Sequence, residues 1–402
     1  MHPSIQSALS HIQHLLESQL ARVTQLSQSP PPVDLTQQPH IRIGICPGDG
    51  IGPVISHEAH HIMSALIDSS PHPHRTVEFV PIEGLTIERR LAETVAIPPD
   101  VLNQLKSCDV ILKGPTTTPQ AGSGVPNIES ANVAMRRELD LFANVRPVSI
   151  PERHIDWTFF RENTEGEYML GSHGYQVTPD LSLDFKVTTE PGCRRIIRAA
   201  FEFAKQNHKT RVAVVTKSNV IKTTDGHFSR VANEIAADYA AHGIRMEEWY
   251  VDIMAAKLID PSRQSEFEVL VMPNLYGDIL TDEAAQLQGG VGTAGSANIG
   301  SRWAMFEGVH GSAPRMVTEG RAHYADPSSM LKAAAMLLRH IGWGTHATAL
   351  DEALAICTQF EKKWVMTGRD NGATAPQFGA YVLSWALHPD RHARYAQGVH
   401  HA

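Results

Sequence analysis

Asp278 and Asp282 stand four residues apart in Asn274-Leu275-Tyr276-Gly277-Asp278-Ile279-Leu280-Thr281-Asp282. On a helix this spacing turns two carboxylates the same way, offering hard oxygen ligands to a divalent cation such as Mg2+ or Mn2+. Asp252, in Tyr250-Val251-Asp252-Ile253-Met254, ends another short apolar run and could complete the set. Acids at a helix start also serve as caps and suit its dipole, so the pair alone does not decide the matter. The other polar clusters bear on it. Arg136 and Arg146 flank an amphipathic segment, with Ser130, Asn132 and Arg136 inside two helical turns. The rigid guanidinium fork matches a carboxylate, and several converging arginines imply a substrate with several carboxylates; the alternative is a solvated face with ordinary ion pairs. Arg161 to Tyr168 form a dense polar run straight after an apolar strand, the place where α/β proteins put chemistry. Tyr168 can donate a proton if a nearby cation lowers its pKa. Lys217 follows the apolar run Val212 to Val215 in Thr216-Lys217-Ser218-Asn219. A lysine at such a strand end can act as a general base when burial favours its neutral form, although most lysines are simply exposed charges.

The elements that must carry these residues follow from the apolar pattern. Val269 to Met272, bounded by Pro273, reads as a buried strand, and the helical pattern starts at Asp278 and continues through Ala284, Ala285 and Leu287. Ile41 to Ile45 is a strand that runs into Pro47-Gly48-Asp49-Gly50-Ile51-Gly52-Pro53 and a helix from about Val54. Such a glycine-rich turn can cradle a phosphate, but its spacing is GxGxG rather than GxGxxG, and a plain tight corner fits equally. Val110 to Leu112 is a buried strand that delivers the hydroxyl-rich loop Lys113 to Thr118. Gly174 to Thr189 alternates loosely, an extended excursion that could pair with a second subunit. The alternation of strands and helices favours an α/β body. Residues 1 to 26 place Ile5, Leu9, Ile12, Leu15, Leu16 and Leu20 at helical spacing before Ser27 to Pro32 breaks the pattern. This reads as a helix on a tether with a packing or assembly role; its interspersed Gln, His and Ser argue against a signal peptide.

Composition narrows the classes. A chain of 402 residues, 42% hydrophobic and 19% charged, is long enough for two domains. The net charge of -8, with no basic block, argues against a nucleic-acid partner. Cys46, Cys108, Cys193 and Cys357 are far apart with no CxxC pair, which speaks against a structural zinc site or disulfide framework and fits a reducing, cytoplasmic location. No apolar run reaches the roughly 18 residues of a membrane span. The 22 histidines read as a compositional excess.

Seven motifs in one order make the chain resemble the metal-dependent β-decarboxylating dehydrogenases of the isocitrate and 3-isopropylmalate dehydrogenase family. They are Pro47 to Pro53, the Arg136 to Arg146 block, Arg161 to Tyr168, Thr216 to Lys222, Asn274 to Asp282, Gly289-Gly290 to Gly300, and Glu307-Gly308-Val309-His310-Gly311-Ser312-Ala313-Pro314. The resemblance implies a two-domain α/β fold: a discontinuous large dinucleotide-binding domain over 40–141 and 289–402, and a smaller domain over 142–288 with a dimer clasp at about 166–190, preceded by a helix and linker over 1–39. It implies a homodimer or higher oligomer whose sites are shared, with Lys217, Asn219 and Asp252 reaching across. Arg136, Arg146 and Arg161 match the substrate-carboxylate arginines, Asp252, Asp278 and Asp282 the metal ligands, and Tyr168 and Lys217 the catalytic acid and base. NAD(P)+ is expected against Thr118, His310, Gly311, Ser312, Ala313, Arg315 and Asp326. Arg315 stands where NAD-dependent members carry an aspartate, and Arg315 and Arg321 could meet a 2′-phosphate, which tilts the expectation to NADP.

The implied reaction is oxidation of a malate-type 2-hydroxy acid followed by loss of carbon dioxide. Ser130 and Asn132 match positions that hydrogen-bond the extra carboxylate of isocitrate, and an isopropyl group there would leave an amide unpaired at a cost of about 1–3 kcal/mol. Isocitrate is therefore the expected substrate. Glu129, which falls where isopropylmalate enzymes carry a glutamate, keeps 3-isopropylmalate, homoisocitrate and other substituted malates open. Ser130 also matches a position that some bacterial isocitrate dehydrogenases control by phosphorylation. Two rivals remain, a metal-free hydroxyacid dehydrogenase with an ordinary Rossmann domain and a non-catalytic regulatory paralogue.

Overall fold

Runs such as Val269–Met272 and Val110–Lys113 are buried at every position, as short apolar strands must be when both faces of a sheet are covered. In the computed structural model, which describes residues 3–119, 124–171 and 173–401, they fall in two compact units. One comprises Val33–Leu141 with Ala285–Ala402, the other Met1–Pro32 with Phe142–Ala284. Residues 1, 2 and 172, which the sequence reading assigns to the N-terminal helix and the clasp, lie outside the described residues.

In the first unit β1 (His40–Cys46), β2 (Thr76–Pro81), β3 (Val110–Lys113), β11 (Gly295–Ile299) and β12 (Ala304–Gly308) lie in the order β2-β1-β3-β12-β11. All neighbours are parallel except β11 and β12. Cys46, Leu105, Ile111, Met135 and Met305 share one buried cluster in this unit. In the second unit β4 (Ala143–Ile150), β5 (Ile155–Glu162), β8 (Arg211–Thr216), β9 (Arg245–Tyr250) and β10 (Val269–Met272) run β4-β5-β10-β8-β9, with only β4 and β5 antiparallel. The excursion after β5 forms a separate hairpin of β6 (Tyr175–Thr178) and β7 (Leu181–Leu183).

Several boundaries differ from the sequence reading. The helix carrying Asp278 begins at Asn274 and ends at Leu287, so Asp278 lies in its second turn and does not open it. Pro273 ends the strand, and its carbonyl accepts the Gly277 amide, which starts the helix early. Asp252 does not end a strand; β9 stops at Tyr250 and Asp252 lies in the first turn of the helix Val251–Leu258. The glycine-rich turn is a corner: its Asp49 and Ile51 amides donate to the carbonyls of Pro115 and Ser312, leaving neither for a phosphate. Gly50, at a φ of 62°, packs so closely that a Cβ would sit 1.9 Å from the Ser312 oxygen. The N-terminal helix, Pro3–Ser27, belongs to the second unit. Ala8 and Leu15 are buried, and the Tyr175 hydroxyl bonds Ser7 at 2.6 Å. No helix of the described residues is long and apolar enough to cross a membrane.

Candidate active site

In the second unit, parallel β5 and β10 deliver Arg161 and the head of the Asn274–Leu287 helix side by side. Arg161 is buried, with its side chain 2% exposed. Its Nε and Nη2 donate to Asn274 Oδ1 at 3.0 and 2.7 Å, and its Nη1 donates to Asp278 Oδ1. Gly277 permits this, since a Cβ there would fall 2.4 Å from Arg161 Cγ. The other Asp278 oxygen accepts the Tyr168 hydroxyl at 2.8 Å. Arg161, Asp278 and Tyr168 are therefore one cluster. One turn along the helix, Arg146 of β4 donates to Thr281 Oγ1 at 2.6 Å and to Asp282 Oδ1 at 2.9 Å.

Tyr168 departs from the expectation of a lowered pKa. Burial, and then the hydrogen bond and charge of Asp278, push the phenol up to about 12, while the Arg161 charge opposes this only weakly. Such a phenol keeps its proton at neutral pH, the state of a donor. Lys217 leaves the end of β8 and bonds Asp252, whose carboxyl is thereby held below the usual carboxylate range. Asn219 lies exposed in the following turn. Among the described residues no group of three or more His, Cys, Asp or Glu is close enough to hold a metal. Within one chain Asp278 and Asp282 share a helix, while Asp252 is engaged by Lys217.

The first unit holds the other predicted residues. Ser130 stands at the N-cap position of the helix Ala131–Glu138 without a side-chain cap bond, and Asn132 Oδ1 accepts the Thr116 hydroxyl at 2.9 Å. Arg136 Nη2 stands 3.4 Å from Glu307 Oε1, while its buried Nε has no hydrogen-bond partner among the described residues. Glu307 also accepts from the fully buried Lys113 at 2.8 Å and from Asn298 at 2.8 Å. Burial would raise the Glu307 carboxyl, but the Lys113 and Arg136 charges override it and hold it down at about 2. In the loop after β12, His310 Nε2 meets Ser329 Oγ at 2.7 Å and Ser312 Oγ meets Thr117 Oγ1 at 2.7 Å. Ala313 takes a left-handed φ of 45° to start the short helix Pro314–Thr318, with exposed Gly311 before it. Thr118 is exposed after β3, and Asp326 caps the Ser328 amide at 2.9 Å. Arg315, 87% exposed, bonds Glu319 at 2.6 Å, and Arg321 bonds the same carboxylate.

Lys113, Asn274 and Glu307 escape the sequence reading as site residues. The available signal was a lysine closing an apolar strand and an acid closing another, since Lys113 pairs in register with Glu307. Among the 22 histidines, His57-Glu58-Ala59-His60-His61 has the H-E-x-x-H spacing of a metal-binding helix. The His57 and His61 rings lie parallel at 6.4 Å, but Glu58 is buried against Gly379, and no third metal-binding group among the described residues joins them.

Residues 42–370 match the sequence profile of the isocitrate/isopropylmalate dehydrogenase family, and the chain belongs to that family. It is similar to the NADP isocitrate dehydrogenase of Rickettsia prowazekii (38% identical over 321 residues, 77% of this chain and 62% of the relative). It is also similar to the probable NAD isocitrate dehydrogenase subunit alpha, mitochondrial, of Caenorhabditis elegans (38% over 320 residues, 78% of this chain and 83% of the relative). The chain thus spans less than two thirds of the Rickettsia relative's length. Among solved structures it is similar to the isocitrate dehydrogenase of Methylococcus capsulatus, with a TM-score of 0.73 at 30% identity over 87% of this chain and 100% of that one. A protein of Thermus thermophilus has a TM-score of 0.75 at 30% identity, over 89% of this chain and 72% of that one.

Proposed function

We propose that the protein is an enzyme that oxidises and decarboxylates isocitrate, with NAD(P)+ as hydride acceptor and Mg2+ or Mn2+ as cation. The cluster of Arg161, Asp278 and Tyr168 carries this reading, because it joins a carboxylate-binding fork, an oxygen ligand and a phenolic proton donor within hydrogen-bond reach. The donor set suits a hard cation, since Asp278 and Asp282 offer carboxylate oxygens and no sulfur or imidazole. They would hold the ion together with Asp252 of a second subunit, which accords with the separate pairing of Asp252 inside one chain. A bound cation would supply Lewis-acid polarisation of the substrate oxygens, and a bound dinucleotide would supply the hydride acceptor.

The side chains perform the rest. Arg161 and Arg146, held by Asn274 and Thr281, present fixed forks to substrate carboxylates. Lys217 takes the proton of the hydroxyl, and Tyr168 delivers one to the carbon left after the carbon–carbon bond to the departing carboxylate breaks. The Asn132 oxygen is occupied by Thr116, so its amide N–H groups are what it offers a ligand, which suits the third carboxylate of isocitrate. Glu129 bonds Arg137, which favours the isocitrate reading over an isopropylmalate site. Two arginines against the single Glu319 leave positive charge beside the cofactor loop, which supports NADP. The four free, buried cysteines support a reducing compartment.

The test is a panel of isocitrate, 3-isopropylmalate, homoisocitrate and malate, each with NAD+ and NADP+, with Mg2+ and with EDTA. Isocitrate should reduce the dinucleotide, fastest with NADP+, and EDTA should stop it. Activity that survives EDTA would point to a metal-free dehydrogenase, and silence of the purified protein alone to a regulatory paralogue.

A further inference from the structure

The N-terminal helix lies outside the residues matched by the family profile, yet it sends one charge into the segment between Arg161 and Tyr168. Arg22 Nη1 donates to Glu165 Oε1 at 2.8 Å, and the pair is sheltered, with side-chain exposures of 14% and 4%. Its Nη2 lies 3.4 Å from both the carbonyl and the hydroxyl of Thr164. Glu165 is further fixed by the Thr189 amide at 2.9 Å and the Thr189 hydroxyl at 2.5 Å.

From this loop the bonds run inward. The Glu165 carbonyl accepts Asn274 Nδ2 at 3.0 Å, and the same amide group holds Arg161 through its oxygen. Arg161 then meets Asp278, and Asp278 meets Tyr168. A buried amide bonded at both ends has little freedom, so the position of the 165 carbonyl sets the position of the Arg161 fork. Both ends of this chain of bonds lie in one compact unit.

We infer that Arg22 is a positioning residue: by clamping residues 164 and 165 it holds Arg161, Asp278 and Tyr168 in their working arrangement, so the N-terminal helix tunes the site. This rests on the function proposed above. Without Arg22 the buried Glu165 carboxylate loses an ion pair and keeps only the Thr189 donors, while Arg195, on the Thr164 hydroxyl at 2.7 Å, and the Glu162 carboxylate, on the Thr164 amide, still hold the residue before it. A helix that only adds stability predicts something different, namely fewer folded molecules with each folded site unchanged.

The test compares full-length wild type, Arg22→Ala and Arg22→Lys. Kinetics are normalised to folded protein, and hydrogen exchange is followed over residues 162–168 and 274–280 without ligands. In Arg22→Ala, kcat for isocitrate should fall about tenfold or more while the KM of the dinucleotide stays within about twofold, and exchange should rise in both stretches. Arg22→Lys, which keeps the charge and one hydrogen bond, should recover much of both. If the wild type turns over isocitrate but Arg22→Ala keeps its kcat and its exchange pattern, or loses activity only in proportion to unfolded protein, the inference is overturned. A wild type inert with every acid of the panel overturns the proposed function instead, and the exchange comparison still decides whether Arg22 orders the two stretches. Should Arg22→Ala not accumulate, Glu165→Gln probes the same clamp and should give the same kinetic split.

Discussion

Lys113→Met is the most demanding test of the buried charge set. Lys113 is wholly buried and donates to Glu307 and to the Gly114 carbonyl at 2.8 Å each. Methionine fills similar volume but leaves Glu307 with Asn298 and the more distant Arg136. The depression of Glu307 from an ordinary 4.5 to about 2 corresponds to about 3 kcal/mol of stability at neutral pH, similar to the cost of breaking a buried pair. The sign fixes the pH window. A carboxyl depressed on folding stabilises above its unfolded value and loses that contribution as pH falls from about 4.5 toward about 2. Urea denaturation of wild type and Lys113→Met should therefore differ by about 2–4 kcal/mol at pH 7, with the gap closing as the buffer is taken below pH ~4. Arg136, left as the sole nearby cation for Glu307 among the described residues, should turn further from substrate and raise the KM for isocitrate. A gap below about 1 kcal/mol, or one of the same size at every pH, would refute the electrostatic account.

Tyr168→Phe removes the phenol whose pKa burial and then Asp278 push up; kcat should fall by about 10²–10⁴ with little change in KM, as steady-state kinetics with isocitrate can check, and a normal kcat would exclude Tyr168 as donor. Glu162 is pushed up to about 7 by burial and then by the neighbouring Glu165 charge. A carboxyl raised on folding loses stability as pH climbs from about 4.5 to about 7, so Glu162→Gln should flatten that decline in pH-dependent denaturation, and an unchanged slope would count against it. Lys217→Met and Tyr168→Phe, each inactive, should give activity on co-expression if two subunits share a site; a verified heterodimer without turnover would argue for sites built in one chain.

Much of the chemistry is written locally. Three strand ends are legible to within a residue or two, because the apolar runs stop at Leu112, Phe160 and Val215 while the strands continue to Lys113, Glu162 and Thr216, and the polar residues there are where a parallel sheet leaves room for a ligand. The i, i+4 placement of Asp278 and Asp282 needs only the helical period, and the family emerges from ordered motifs alone. Helix starts were less legible, because the Asn274–Asp278 turn depends on which carbonyl the Gly277 amide finds after Pro273.

Partners distant along the chain belong to the tertiary structure. Arg161 and Asp278 are separated by 117 positions, Lys113 and Glu307 by 194, and Arg22 and Glu165 by 143. Composition and periodicity fix which side chains are polar and which face of an element they occupy, and these repeat over a few residues. Which buried cation meets which buried anion is decided by strand order and register, and hence whether a tyrosine is held as an acid or a glycine turn keeps its amides free. Those are properties of the packed sheet, whose contacts no local period encodes.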